Sequence, residues 1–166
     1  MSGDIEATDY LTRQHREIEE ALRTALATDD PQVKRSQFLD IADALTMHIA
    51  AEEQVFYPAV HRQPNEDVLL ESLEEHLALK RLLSDLLALQ GGDVTFQPKL
   101  HVLREQAEHH HRDEERKLFP EVREKLDAAQ REALGREMDA LQVRMQARGK
   151  PRKVVHDQTE AAQPLR

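Results

Sequence analysis

The chain has no cysteine and no tryptophan, and only 4% of its 166 residues are aromatic. Without cysteine, disulfides, thiolate zinc sites, iron–sulfur clusters and thiol redox catalysis are excluded. Any metal must be held by nitrogen and oxygen. Long apolar runs are missing as well, since nothing approaches the roughly 18 consecutive apolar residues of a membrane-spanning helix. The N-terminal Met1-Ser-Gly-Asp-Ile-Glu6 shows neither the basic start nor the apolar run of a secretory leader, so the expectation is a cytoplasmic protein with no membrane partner. Cations are in deficit, with 23 Lys and Arg against 32 Asp and Glu for a net charge of −9. That balance argues against nucleic acid as a partner, because phosphate binding needs clustered cations.

What remains is rich in Ala, Leu, Glu, Gln, Arg and Lys, a composition that favours helix. One pattern occurs twice: His48-Ile-Ala-Ala-Glu52-Glu53-Gln-Val-Phe-Tyr57-Pro58 and His110-His-Arg-Asp-Glu114-Glu115-Arg-Lys-Leu-Phe119-Pro120. In each copy the histidine and the first glutamate lie four apart and share one face of a helix.

Periodicity places four long helices and a shorter fifth. The first starts at a Thr8 or Asp9 cap, carries Leu11, His15, Ile18, Leu22 and Leu26 on one stripe, and stops at Asp29-Asp30-Pro31. The second presents Phe38, Ile41, Leu45, His48, Glu52 and Val55, kinks at Pro58, and ends around Gln63-Pro64-Asn65. The third carries Leu69, Leu73, His76, Leu79, Leu83 and Leu86 and closes at Gly91-Gly92. The fourth opens near Pro98, carries Leu100, Leu103, Ala107, His110, Glu114 and Leu118, and kinks at Pro120. A fifth covers roughly 128–146. Short connections imply antiparallel neighbours, hence an all-α, up-down-up-down four-helix bundle over residues 1–147 with a short extra C-terminal helix. His15 to His48 spans 33 residues and His76 to His110 spans 34, as in a duplicated helical hairpin. Residues 148–166 lack periodicity and are expected to form a flexible tail.

Spacing alone does not single out the histidines, because most of the nine are followed four positions later by an acidic residue. Position on the helix separates them. His15, His48, His76, His110, Glu52 and Glu114 each replace a hydrophobic residue on a core-facing stripe. His101 lies about 180° round the helix from His110, and His109 and His111 lie about 100° to either side. These three, with His61 and His156, are expected at the surface. Glu19, Glu53 and Glu115 read as exposed helix charge, with orientation of the imidazoles or lining of an entry path as the alternative. Tyr57 and Phe119 read as packing residues, with a hydrogen bond or an electron from Tyr57 near the site as the alternative. Six buried polar groups would cost several kcal/mol without compensation, which divalent cations or a hydrogen-bonded His–Glu network would supply.

The donor count suits two metals. Four imidazoles and two bridging carboxylates offer about eight donor positions, and a shared oxo or hydroxo brings the total to about ten of the twelve that two octahedral ions need. About one position per metal stays open. Iron, manganese or zinc suits these donors. A ferritin-type site would need two Glu-x-x-His pairs, and only Glu108-x-x-His111 occurs.

On these residues the chain resembles the hemerythrin-like family of HHE cation-binding domains: His15 on the first helix, His48-x-x-x-Glu52 on the second, His76 on the third, and His110-x-x-x-Glu114 on the fourth. The resemblance covers about residues 8–145. It implies a non-haem, oxo- or hydroxo-bridged centre of two Fe ions, with Glu52 and Glu114 bridging and Zn or Mn as other occupants. The oxygen carriers of that family have a second histidine on the third helix, where Ser72 and Lys80 stand here, and an aspartate at a spacing of five on the fourth. Both departures point away from reversible O2 carriage, towards the four-His, two-Glu members associated with iron sensing, NO and peroxide chemistry or iron–sulfur repair. The expected function is binding of O2, NO or peroxide at an open two-iron site, with peroxide decomposition as an activity. The alternatives are an iron or oxygen sensor or iron store without turnover, and a plain structural bundle with a His–Glu polar core.

Overall fold

A computed structural model describes residues 5–166, and every regular element among them is helical. The helices are α1 (Ala7–Ala27), α2 (Pro31–Ala51), α3 (Tyr57–Val60), α4 (Glu66–Leu87), α5 (Phe96–Asp113), α6 (Phe119–Lys125) and α7 (Ala128–Ala147). None is long and apolar enough to cross a membrane.

Helix starts follow local capping chemistry. Asp30 accepts from the N–H groups of Gln32 (2.9 Å) and Val33 (3.4 Å), with Pro31 in the first position of α2. Asp127 and Gln130 form a capping box at α7, at 2.8 and 2.9 Å. The first helix begins before the expected Thr8 or Asp9. Glu6 reaches the Asp9 N–H at 2.7 Å and is itself met by Arg131 at 2.9 Å. Similarly, α5 begins at Phe96 rather than at Pro98, because a proline in the first turn removes an N–H that has no helical partner anyway. Gly91, between α4 and α5, lies against the first residue of α2. A Cβ there would stand 2.0 Å from the Pro31 carbonyl oxygen, so only glycine permits this approach.

The core has two apolar clusters. One gathers Ile18, Leu22, Phe38, Leu45, Leu83 and Phe96 with their neighbours; the other gathers Leu11, Phe56, Leu69, Leu73, Phe119 and Met138 with theirs. Along α1 and α4 the chain passes from the second cluster to the first, and along α2 and then α5 from the first to the second. Successive long helices therefore alternate in direction. His15, His48, His76 and His110 each fall at the crossing, between the clusters.

Residues 148–166, expected from their lack of period to form a flexible tail, pack onto the bundle. Gly149 turns the chain after α7 at φ 126, and Pro151–Gln158 form a 3-10 helix against α2 and α4. Pro151 and Val155 are buried, and Val155 joins the first apolar cluster. Asp43 accepts from the Arg152 N–H (3.0 Å) and guanidinium (2.7 Å), while Arg81 donates to the carbonyls of Thr159 (2.9 Å) and Glu160 (3.1 Å). Two buried positions four residues apart are too few to show a repeat in the sequence.

Candidate metal centre

The duplicated motif folds alike in both copies. Each helix widens into one π turn that starts at the first glutamate, Glu52–Phe56 and Glu114–Leu118. The N–H of Tyr57 donates to the Glu52 carbonyl and that of Phe119 to the Glu114 carbonyl, five residues back in each case. An α-helical proline collides with the carbonyl four residues earlier and leaves it without a donor. The kinks expected at Pro58 and Pro120 are thus replaced by a wider turn just ahead of each proline, which lets the chain continue as α3 and α6.

Those turns set Glu52 and Glu114 into the layer between the apolar clusters. His15, His48, Glu52, His76, His110 and Glu114 come together there, each 0–1% exposed. His15 Nε2 lies 3.1 Å from Glu114 Oε1, and His48 Nε2 lies 3.3 Å from Glu52 Oε1. His76 Nε2 is 3.1 Å from Glu52 Oε1, and His110 Nε2 is 3.4 Å from Glu114 Oε1. His76 and His110 bring their Nε2 atoms within 3.0 Å of each other. Close as they are, His15 Nε2, His48 Nε2, Glu52 Oε2 and Glu114 Oε1 have no hydrogen-bond partner. They converge without aligning on one another, as donors to ions would. The donor groups fall into two sets able to hold a cation, His15, His48, Glu52 and Glu114 in one and Glu52, His76 and His110 in the other.

The opposite ring nitrogens are fixed by a rule that the duplication repeats. The residue before the first histidine of each half holds the second: Gln14 Oε1 meets His48 Nδ1 at 2.9 Å, and Glu75 Oε1 meets His110 Nδ1 at 3.0 Å. The second glutamate of each motif crosses to the other half. Glu53 meets His76 Nδ1 at 2.9 Å, and Glu115 meets His15 Nδ1 at 2.9 Å. These oxygens are acceptors, so Nδ1 carries the proton and Nε2 offers its lone pair inward. Such partners fix ring orientation and raise ligand basicity. Glu53 and Glu115 are therefore positioning groups rather than free helix charge, and Glu19 is buried in the same way. Lys80, also buried, donates to both Glu53 oxygens at 2.8 and 3.1 Å.

Burial alone would pull the pKa of His15 down, but its close contacts with the Glu114 and Glu115 carboxylates and the charges around it lift it to about 9. His76 and His110 are likewise raised against burial, by Glu52 and Glu53 and by Glu114 and Glu52 respectively. His48 is lowered, because burial outweighs its attraction to Glu52. Burial and the neighbouring Glu52 charge raise Glu114. Burial, then the charges of Glu114 and Glu52, push Tyr57 far above the phenol range. It stays protonated and donates to Glu114 Oε2 at 2.6 Å, a polar role beyond the packing expected of it.

His101, His109 and His156 are exposed and His61 is partly exposed, as expected. His111 is not a surface residue: it is 0% exposed and stacks on His15 with ring centroids 3.9 Å apart. Its 100° offset from the stripe turns it towards α1, because α5 packs against both α4 and α1 and buries more than one stripe.

A profile of the hemerythrin HHE cation binding domain matches residues 6–122. The chain is 29% identical over 145 residues to a DNA nickase from Nostoc sp. (strain PCC 7120 / SAG 25.82 / UTEX 2576), covering 87% of this chain and 41% of that protein. It therefore spans well under half of that relative's length. The crystal structure of a hemerythrin HHE cation binding domain-containing protein from Mycobacterium kansasii shares the fold. Its TM-score is 0.79 at 22% identity, with coverage of 93% of this chain and 99% of that one. The profile spans all five buried histidines and both inward glutamates, and on that match the chain belongs to the hemerythrin HHE cation binding domain family.

Proposed function

We propose that the chain is a diiron protein that binds O2, NO or peroxide, with His15, His48, His76 and His110 as nitrogen ligands and Glu52 and Glu114 shared between the two ions. The observation that carries this reading is the set of unpartnered, inward-directed atoms in a layer that is 0–1% exposed. Unsatisfied polar atoms there would each cost about 1–3 kcal/mol, and a cation at each set removes that penalty. Iron held by such donors supplies Lewis acidity and redox reach, with coordination left over for a small ligand. Manganese or zinc fits the same donors.

The chain's own part is binding, orientation and exclusion of water. Glu53, Glu75, Glu115 and Gln14 lock four imidazoles in one tautomer. The apolar clusters close the layer from both sides, and Tyr57 places a protonated hydroxyl on Glu114. A cleft of about 900 Å³ along α1 and α2 has Gln14 in its wall. It comes within one side chain of His48 and offers small molecules a way in. Each of the six proposed ligands is at most 1% exposed, so the site favours diatomics and peroxide over a DNA strand. The nicking named for the Nostoc relative finds no support in it.

Iron quantification on purified, reconstituted protein should give two ions per chain with charge-transfer absorption, and His110→Ala or Glu52→Ala should fall below two. Wild-type protein that retains no iron, or a single ion, sinks the reading. Peroxide consumption above that of free iron marks an enzyme; its absence favours an iron or oxygen sensor or an iron store. A melting temperature indifferent to iron and to a strong chelator would leave only a structural polar core.

A further inference from the structure

The segment after α7 does more than cover the bundle. Together with α2, α4 and the end of α7 it encloses a cavity of about 280 Å³. Four cations line this space, Lys80, Arg148, Lys150 and Lys153, against one carboxylate, that of Glu53. In a chain with 23 Lys and Arg against 32 Asp and Glu, that is a local concentration of the scarcer sign. The carboxylate is already engaged, because Lys80 donates to both its oxygens and His76 Nδ1 meets one of them. Arg152, within the same basic run, pairs with Asp43 instead. Among the described residues, no acidic group pairs with the side chains of Arg148, Lys150 or Lys153. Cations gathered round a concave wall focus their field on its interior and attract an anion.

Thr46 points to a ligand independently. It lines the same cavity, is 5% exposed, and its hydroxyl has no hydrogen-bond partner. Thr12 and Thr28 give theirs to the carbonyl four residues back, at 2.7 and 2.9 Å. A buried hydroxyl left unpaired is unfavourable, and the oxygen of an anion would accept from it. Nor does Glu53 exhaust the donors of the Lys80 ammonium, which is itself 3% exposed. The remaining wall is apolar: Ile49, Leu141 and Val155 are buried behind it, and Val154, 43% exposed, stands beside them. A fully hydrated ion gains nothing from such a surface, whereas a hydrocarbon chain does.

We propose that this cavity binds a small organic carboxylate with a short apolar chain. Lys80, the three unpaired cations and the Thr46 hydroxyl meet its charge, and Ile49, Leu141 and Val155 receive its chain. The volume lies at the small end of ligand pockets, which keeps the chain short. None of the six proposed metal ligands lines the cavity, so the site goes beyond the diiron reading and stands if that reading fails.

Calorimetric titration of the 166-residue chain with sodium hexanoate tests this. One equivalent should bind. Lys150→Glu combined with Lys153→Glu should weaken binding about tenfold or more, with helix content unchanged by circular dichroism. Thr46→Val, close in shape, should weaken it about threefold without lowering the melting temperature. Arg23→Glu combined with Lys125→Glu alters net charge equally at distant exposed positions and should leave affinity within about twofold. Inorganic phosphate keeps the negative charge without the chain, and hexylammonium keeps the chain without that charge; each should bind about tenfold more weakly. No binding at millimolar hexanoate would overturn the site. So would affinity unmoved by the Lys150/Lys153 reversal, the result expected of hexanoate bound at a metal ion, or an equal loss in the distant reversal. Phosphate or hexylammonium binding as tightly as hexanoate would overturn the ligand class.

Discussion

Protons and metal ions compete for the same nitrogens in this layer. His15 is raised from 6.5 to about 9 in the metal-free protein, so its imidazolium contributes stability that is fully present below pH 6.5 and lost as pH climbs through about 9. His76 and His110 are raised too and act with the same sign. Metal-free protein should therefore melt at progressively lower temperature between pH 6.5 and 9. Iron affinity should strengthen over that window as the displaced protons become easier to remove. Calorimetry and competition titrations at several pH values check both slopes; a metal-free melting temperature that rises with pH would contradict them. Behind the ligands, Glu75→Gln keeps the shape but weakens the acceptor on His110 Nδ1, and should lower metal affinity by about 10–100-fold. Which side chains face inward was legible from a 3.6-residue stripe. Which imidazole each carboxylate stands behind was not, because Glu53 and Glu115 act across the duplication on helices far away in sequence.

At the level of the element, two π turns separate what periodicity foresees from what the chain does. The stripe located α2 and α5 and the prolines marked where regularity breaks, but a break can be a kink or a widened turn. The choice depends on burying the glutamate at which each turn begins. His111 was missed for a related reason: a stripe treats a helix as having one buried face, whereas α5 is flanked by both α1 and α4. Replacing Pro58 or Pro120 with Ala removes the clash that forbids a continuous α-helix. Each variant should keep its helical circular dichroism yet release iron to a chelator several-fold faster, as Glu52 or Glu114 gains freedom to rotate away. Unchanged release would assign the π turns to the side-chain network rather than to proline.

For the whole molecule, the all-helical architecture followed from composition and four stripes, while the C-terminal segment defied the same reasoning. Its attachment rests on Pro151, Val155, the Arg152–Asp43 pair and the Arg81 bonds to its carbonyls, scattered groups that make no pattern. Val155 is 1% exposed, and burying such a side chain contributes roughly 1.5–3 kcal/mol. Truncation after Arg148 should lower the melting temperature by several degrees, at about 2–4 °C per kcal/mol for a chain of this size. A dispensable tail would leave it unchanged.

Two greasy compartments meet only across a slab of imidazoles and carboxylates. With ions in place that slab welds the halves, so disassembly by heat should be all-or-none. Emptied, it leaves buried polar atoms without partners, and calorimetric enthalpy should then exceed the van't Hoff value as one cluster melts before the other. Cations bound in that layer would thus be what makes the protein fold as one body.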